Sequence, residues 1–382
     1  MKINPALAMA LSALSAGLLI SCVKPADENK TAEVDSQTVA QDGAASNSTA
    51  ADSANAEQIV AIDISAETEK TYLTHVAEDI VIPAYADAAK QSGLLHDLAQ
   101  KHCQQAPVSS DELQALRAQW LVLAQAWASA EMINFGPATA SMSNLYINYY
   151  PDERGLVHSG VAELIAANPK LTPEQLANES AIVQGVPGLE EALFANDSLN
   201  AAQCAYMVSA SAALSTRLKA IESNWQENAT TLLAIDKTAD SDQGLNQWFN
   251  SLLSLLETMK TNAIAEPLGL VGKAKGHLPA ATAGQSRAII NAKLATLNKT
   301  LTDPVLITIL GSNNQNAIAD SLSSELADTT TLLAQMPEDL ATADKAKQQE
   351  LFDHFTTITR LMKRQLIPTL GVRVGFNSND GD

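Results

Sequence analysis

Four stretches of this chain hold residues whose types and spacing could do chemistry. In Gln184-Gly185-Val186-Pro187-Gly188-Leu189-Glu190-Glu191-Ala192-Leu193-Phe194, two glycines and a proline stand directly before adjacent carboxylates. A carboxylate there could ligate a cation, take a proton or hold a ligand's donor group. It would equally suit the first turn of a helix, where the macrodipole favours negative charge. The segment from Trp120 to Pro137 places Glu131 and Asn134 at the end of an aromatic-rich helix. Trp120 and Trp127, seven apart, read as core packing. Glu131 is a poor choice near a helix C-terminus, and locally unfavourable choices often mark sites. The turn Tyr149-Tyr150-Pro151-Asp152-Glu153-Arg154-Gly155 carries charge of both signs and by itself is an ordinary surface loop. The tail from Leu370 to Asp382 ends in Asn- and Asp-rich residues 377–382. These could offer oxygen ligands to calcium, although terminal tails more often pack or fray.

Several chemistries have no motif here. There is no His-Glu-x-x-His and no Gly-x-Ser-x-Gly, which removes the ordinary zinc-protease helix and the nucleophile elbow. The six histidines are scattered. His75 and Glu78 lie one turn apart on one helix face. With Glu131 and Glu190 they could converge as carboxylate-rich bundle sites do; the alternative is a solvated face. His75, Glu78 and Glu190 are therefore the candidate ligands of a divalent metal, and no other cofactor is indicated.

The elements that must position these groups are helical. Aromatics are 4% of the chain against a hydrophobic fraction of 46%, so Ala and Leu, strong helix formers, supply most of the apolar mass. Apolar residues at helical spacing begin with Leu73, Val76 and Ile80, ahead of Pro83, which should kink or divide that helix. Ser109-x-x-Glu112 is a capping box opening a helix through Leu113, Leu116, Trp120, Leu123 and Trp127. A third helix is expected from Gly136-Pro137 to Tyr149, a fourth over Leu156–Ala167, another start at Thr172-Pro173, and a long amphipathic helix over Asn200–Glu227. Further helices are expected near Gly244–Ala263, Gly284–Leu301, Asn313–Leu333 and Pro337–Leu366. The glycine-rich stretch Glu266–His277 lacks Gly-Lys-Ser/Thr and reads as a plain connection. The expected fold is all-α: two antiparallel helical-bundle halves packed side by side, over 58–235 and 236–382.

The chain's start bears on location. Lys2, an apolar run from Ala6 to Ile20 and small residues before Cys22 make a secretory signal over residues 1–21. The run is shorter than the roughly 20 residues of a membrane span. Leu19-Ile20-Ser21-Cys22 resembles the lipobox of bacterial lipoproteins, which implies a diacylated Cys22 and a membrane partner held through that lipid. Residues 22–57 are too polar to bury a core and read as a disordered tether. Val23 in place of Asp favours the outer membrane by sorting analogy, with the folded part facing the periplasm. Cys103 and Cys204 are then an even pair in an oxidising compartment, to be joined as a disulfide or left as two buried thiols. Acidic residues outnumber basic ones 43 to 24, which disfavours nucleic acid as a partner.

Taken in order, these segments resemble the imelysin-like family of bacterial envelope proteins. The shared features are the signal and lipobox, the Trp helix ending in Phe135-Gly136-Pro137-Ala138, and the aromatic-Pro151-Asp152-x-Arg154 turn. Gly185-x-Pro187-x-Leu189-Glu190, Pro267-Leu268-Gly269 and the Leu370-to-Asp382 tail complete them. The resemblance implies an all-helical fold of two bundle-like halves. It also implies metallopeptidase activity in named members and links to iron uptake in others. The family's proposed ligand motif is Gly-x-His-x-x-Glu, and Pro187 occupies the histidine position here. Proline offers no donor atom, and catalytic zinc normally has three protein ligands. The expectation is thus a non-enzymatic envelope lipoprotein binding a metal, an iron-related species or a peptide between its halves, with iron-uptake components among its candidate partners. Glu131, Asn134, Asp152, Arg154 and Glu190 would line the cleft, Arg154 clamping a carboxylate or pairing with Glu190. The alternative is a metallopeptidase of the imelysin type.

Overall fold

Proline placement shapes the helices of this protein as much as apolar periodicity does. The computed structural model describes residues 59–236 and 243–373. The expected signal peptide, Cys22, the tether and the 377–382 tail lie outside those residues. Helix α1 (Ala66–His75) runs into a π-helical turn, Val76–Val81, and continues as α2 (Ile82–His102). Pro83 therefore does not divide the helix as expected. The widened turn just before it takes up the mismatch that a missing N–H and a bulky ring create. The carbonyl of Asp79, four residues before Pro83, instead accepts from the Lys299 ammonium. Pro267 and Pro368 follow π turns (Thr261–Ala265 and Met362–Leu366) in the same way.

Helix α3 (Ser110–Glu131) starts at the Ser109–Glu112 capping box and buries Leu113, Leu116, Trp120, Leu123 and Trp127 on one face. Cys103, after α2, is disulfide-bonded to Cys204 with Cα atoms 5.2 Å apart. The expected helix from 136 to Tyr149 is two 3-10 turns (Gly136–Ala138, Ala140–Met142) and a short α4 (Ser143–Ile147). Ser141 and Met142 adopt positive φ there and break the helical path. Then come α5 (Leu156–Ala167), α6 (Pro173–Leu176), which is one turn behind its Thr172 cap, α7 (Gly185–Phe194) and the long α8 (Ala201–Leu232).

The rest comprises α9 (Leu245–Lys260), α10 (Glu266–Leu268), α11 (Ser286–Leu301), α12 (Pro304–Ser312), α13 (Asn316–Ala334), α14 (Lys345–Leu361) and α15 (Ile367–Thr369). Helix α12 is an addition to the expected set, opened by Asp303 as its cap and Pro304 in its first turn. Helix α14 starts later than expected, because Pro337–Asp344 includes a separate 3-10 turn. No strand occurs among the described residues, and the fold is all-α.

The described residues, 59–236 and 243–373, hold together as one compact unit. Helix α2 packs against α3 and α8, α7 against α3 and α8, α13 against α11 and α14, and α9 against α14. The contact of α3 with α11 ties the earlier helices to the later ones. Tyr72 of α1 stacks on Phe249 of α9 at 6.1 Å and accepts from the Trp248 indole at 3.2 Å. Among the described residues, no helix is long and apolar enough to cross a membrane.

Candidate functional site

The carboxylates of α3 and α7 meet where α11 and the 269–285 loop close over them. The glycines of the motif make that approach possible. Gly185 has φ +69°, and a Cβ there would sit 2.2 Å from the Ile147 carbonyl oxygen. At Gly188 a Cβ would fall 2.4 Å from the Tyr206 hydroxyl, which donates to the Val183 carbonyl at 2.9 Å. Trp120 ties α3 to α7 by donating from Nε1 to the Val186 carbonyl at 3.0 Å.

A cavity of about 40 Å³ lies there, lined by Trp127, Glu131, Asn148, Tyr150, Pro187, Glu190, His277 and Lys293 among others. That is room for a few water molecules at most. Glu131 sits 2.6 Å from the Lys293 ammonium and accepts from Asn148 Nδ2 at 2.8 Å. The cation explains a carboxylate at a helix C-terminus: Lys293, itself 9% exposed, outweighs the unfavourable dipole. Glu190 is buried and accepts from the Ala283 N–H at 2.9 Å. Burial, helped by the negative charge of Glu191, pushes its carboxyl up to about 7. Tyr150 donates to the carbonyls of Asn262 and His277, at 3.0 and 2.9 Å, and its ring meets the His277 ring edge-on at 5.6 Å. Trp127 is buried, and its indole N–H has no acceptor among the described residues.

His277, the last residue of the stretch expected to be a plain connection, lines this site together with Pro279 and Ala280 just after it. The Lys345 ammonium donates to the Leu268 carbonyl at 2.8 Å, and Lys275 pairs with Glu153 at 2.7 Å, fastening the loop to its surroundings.

Of the sequence candidates, Glu131 and Glu190 come together here and the others do not. Asp152 is buried away from the cavity lining, accepting from the Leu156 and Val157 N–H groups at 2.9 and 2.8 Å to cap α5. Asn134 is exposed, and its backbone N–H donates to Ser251. Arg154 is exposed and makes no ion pair with Glu190. His75 is held between Asp79 at 2.6 Å and Asp303 at 2.8 Å, so both ring nitrogens are engaged, and Glu78 is exposed. The candidate set His75, Glu78 and Glu190 is thus not assembled as one metal site. Among the described residues, no three His, Cys, Asp or Glu side chains come together to hold an ion.

Lys293 and His277 complete the site without having been expected in it. Lys293 had a legible signal, a lone cation on the apolar stripe formed by Ile289, Ile290, Leu294 and Leu297. His277 had none, since a loop carries no periodicity.

The imelysin family model, designated peptidase family M75, matches residues 81–365. The chain belongs to the imelysin family. It is similar to an imelysin-like protein from Psychrobacter arcticum 273-4, whose crystal structure superposes with a TM-score of 0.82 at 84% identity, covering 83% of this chain and 100% of that one. It also shares its fold with a candidate iron-regulated protein A precursor from Parabacteroides distasonis ATCC 8503, with a TM-score of 0.61 at 9% identity over 80% of this chain and 95% of that one. Among curated proteins none matches.

The peptidase designation implies a metal, and the donor set here does not fit one. Pro187 lines the cavity and brings no donor atom to it. Glu131 is committed to Lys293 and Asn148, Glu190 to the Ala283 N–H, and His277 Nδ1 lies 2.9 Å from the Leu278 carbonyl. The ammonium of Lys293 inside the same cavity opposes a cation directly.

Proposed function

We propose that this imelysin-family protein is a non-enzymatic envelope protein, carried on a lipidated Cys22 and facing the periplasm from the outer membrane. It would hold a small polar ligand in the cavity around Glu190. One observation carries the reading: the buried carboxyl group of Glu190, the Glu131–Lys293 pair with its buried ammonium, and a Trp127 N–H without an acceptor among the described residues share one small enclosure. Buried polar groups are normally satisfied by protein or by ordered water, and these present donors to an incoming oxygen. The chemistry suits a peptide carbonyl or a chelated, oxygen-rich iron species better than a bare cation.

Entry requires the 269–285 loop to lift. The Ala283 and Thr282 N–H groups hold it to Glu190, the Thr282 hydroxyl donates to Glu191, and Gly269, Gly272, Gly276 and Gly284 give it backbone freedom.

The alternative of an imelysin-type metallopeptidase is supported by the family designation. Elemental analysis of the purified protein, a casein digestion assay, and calorimetric titration with zinc chloride, ferric citrate and a tripeptide panel separate the two. The proposal expects substoichiometric metal, intact casein, and saturable heat, weakened by Glu190→Gln, with ferric citrate or with a C-terminally amidated tripeptide titrated into protein carrying Arg217→Gln. Stoichiometric zinc with chelator-sensitive casein cleavage would overturn it.

A further inference from the structure

A larger opening, of about 640 Å³, lies where α6, α8 and the 136–143 segment meet, lined by none of the residues of the Glu190 cavity. This is within the range of roughly 300–1,000 Å³ typical of small-molecule sites. Its walls combine the apolar surface of α8 with several polar side chains, the carboxylate of Glu174 among them, and two of these groups are of complementary kind. Arg217 reaches it from α8. A guanidinium has five N–H donors, and the described residues give this one a single long hydrogen bond, to Ser143 Oγ at 3.4 Å. Its flat face rests on the Tyr146 ring at 4.6 Å. Among the described residues no carboxylate lies within ion-pair distance of it, although Glu174 lines the same opening. Burial without a counter-charge holds its pKa below the ordinary arginine value.

Gln184 is the second group. It is 2% exposed, and its Nε2 is fixed by the carbonyls of Leu176 and Glu179, each at 2.9 Å. That anchorage orients the amide and leaves Oε1 with no donor among the described residues, on a residue that lines the opening. A ligand therefore meets a fixed acceptor, an uncompensated cation, and the apolar surface of Ala212, Ala213 and Ile221 on α8.

We propose that this opening binds the C-terminal end of a peptide. The terminal carboxylate takes the free guanidinium edge of Arg217, a backbone N–H donates to Gln184 Oε1, and small apolar side chains lie on α8. Arginine's fork matches a carboxylate in two parallel hydrogen bonds, and stacking on Tyr146 pre-orients that fork. A fatty acid shares the carboxylate and the apolar body but lacks the N–H that Gln184 asks for.

The test is calorimetric titration of the purified protein with acetyl-Leu-Ala-Ala as free acid, the same peptide as C-terminal amide, and octanoate. The free acid should bind roughly ten- to a hundredfold tighter than the amide, the usual scale of a charged hydrogen-bonded contact. It should also bind more tightly than octanoate. Arg217→Gln should erase the acid–amide difference while circular dichroism and melting temperature stay near wild type. Ala213→Phe, which fills part of the opening beside Arg217, should remove binding of all three probes. Glu190→Gln should leave this binding intact, so failure here and failure of the Glu190 reading are separable. Equal affinity for acid and amide, octanoate as the tightest probe, unaltered binding by Arg217→Gln, or no binding at millimolar peptide would each overturn the proposal.

Discussion

Replacing Glu190 by glutamine should stabilise this protein in mild alkali and do almost nothing in acid. The side chain is 8% exposed, and its carboxyl is held at about 7 against an ordinary 4.5 by burial first and by the neighbouring Glu191 charge. A raised folded-state pKa means the native protein binds the proton more tightly than the unfolded chain does. The associated stability is complete below about pH 4.5 and is lost as pH climbs to about 7. At about 1.4 kcal/mol per pKa unit, ionising the buried group costs on the order of 3 kcal/mol. Glutamine copies the neutral acid's shape, still accepts from the Ala283 N–H, and never ionises. The difference between variant and wild type should therefore be near zero at pH 4.5 and approach 3 kcal/mol in the variant's favour at pH 8.5. For about 300 folded residues that is a melting shift of roughly 5 °C. Differential scanning calorimetry of both proteins at the two pH values reads it directly, since other titrating groups largely cancel in the comparison. A variant equally stable relative to wild type at both pH values, or less stable at pH 8.5, would refute the burial argument.

Other perturbations have equally definite outcomes. Replacing Cys103 and Cys204 by serine opens a bridge spanning 101 residues and should cost roughly 5 kcal/mol on the chain-entropy account, measurable by urea titration. Gly185→Ala forces a methyl group against the Ile147 carbonyl in a left-handed backbone conformation. It should lower stability by about 3 kcal/mol or more, seen as a depressed denaturation midpoint. Lys293→Met strands Glu131 in the cavity and should cost about 3 kcal/mol at neutral pH, most of it recovered in the double variant with Glu131→Gln. A double-mutant cycle in which the second change recovered nothing would dissolve the pair.

The helical class, the Ser109 and Thr172 caps and the span Leu156–Ala167 could be read from the chain because they depend on neighbours within one or two turns. Apolar residues at helical spacing must be buried together, and a serine three residues before a glutamate satisfies helix-end donors wherever the helix ends up. The same local logic misplaced the 136–149 segment, where tertiary packing holds Ser141 and Met142 at positive φ that no residue type there announces.

The sequence by itself determined that this protein is a set of amphipathic helices with acidic side chains at two motif ends, and that residue 187, between the two motif glycines, is a proline with no donor atom to offer. Only the tertiary structure decided which charges meet. Asp152 was taken by its own helix N-terminus and His75 by Asp79 and Asp303, while Glu131 received Lys293, 162 residues further along the chain. A side chain's partner in the fold is set by how helices far apart in sequence pack, and the free energy of that packing is spread over the whole apolar core, so no local pattern encodes it.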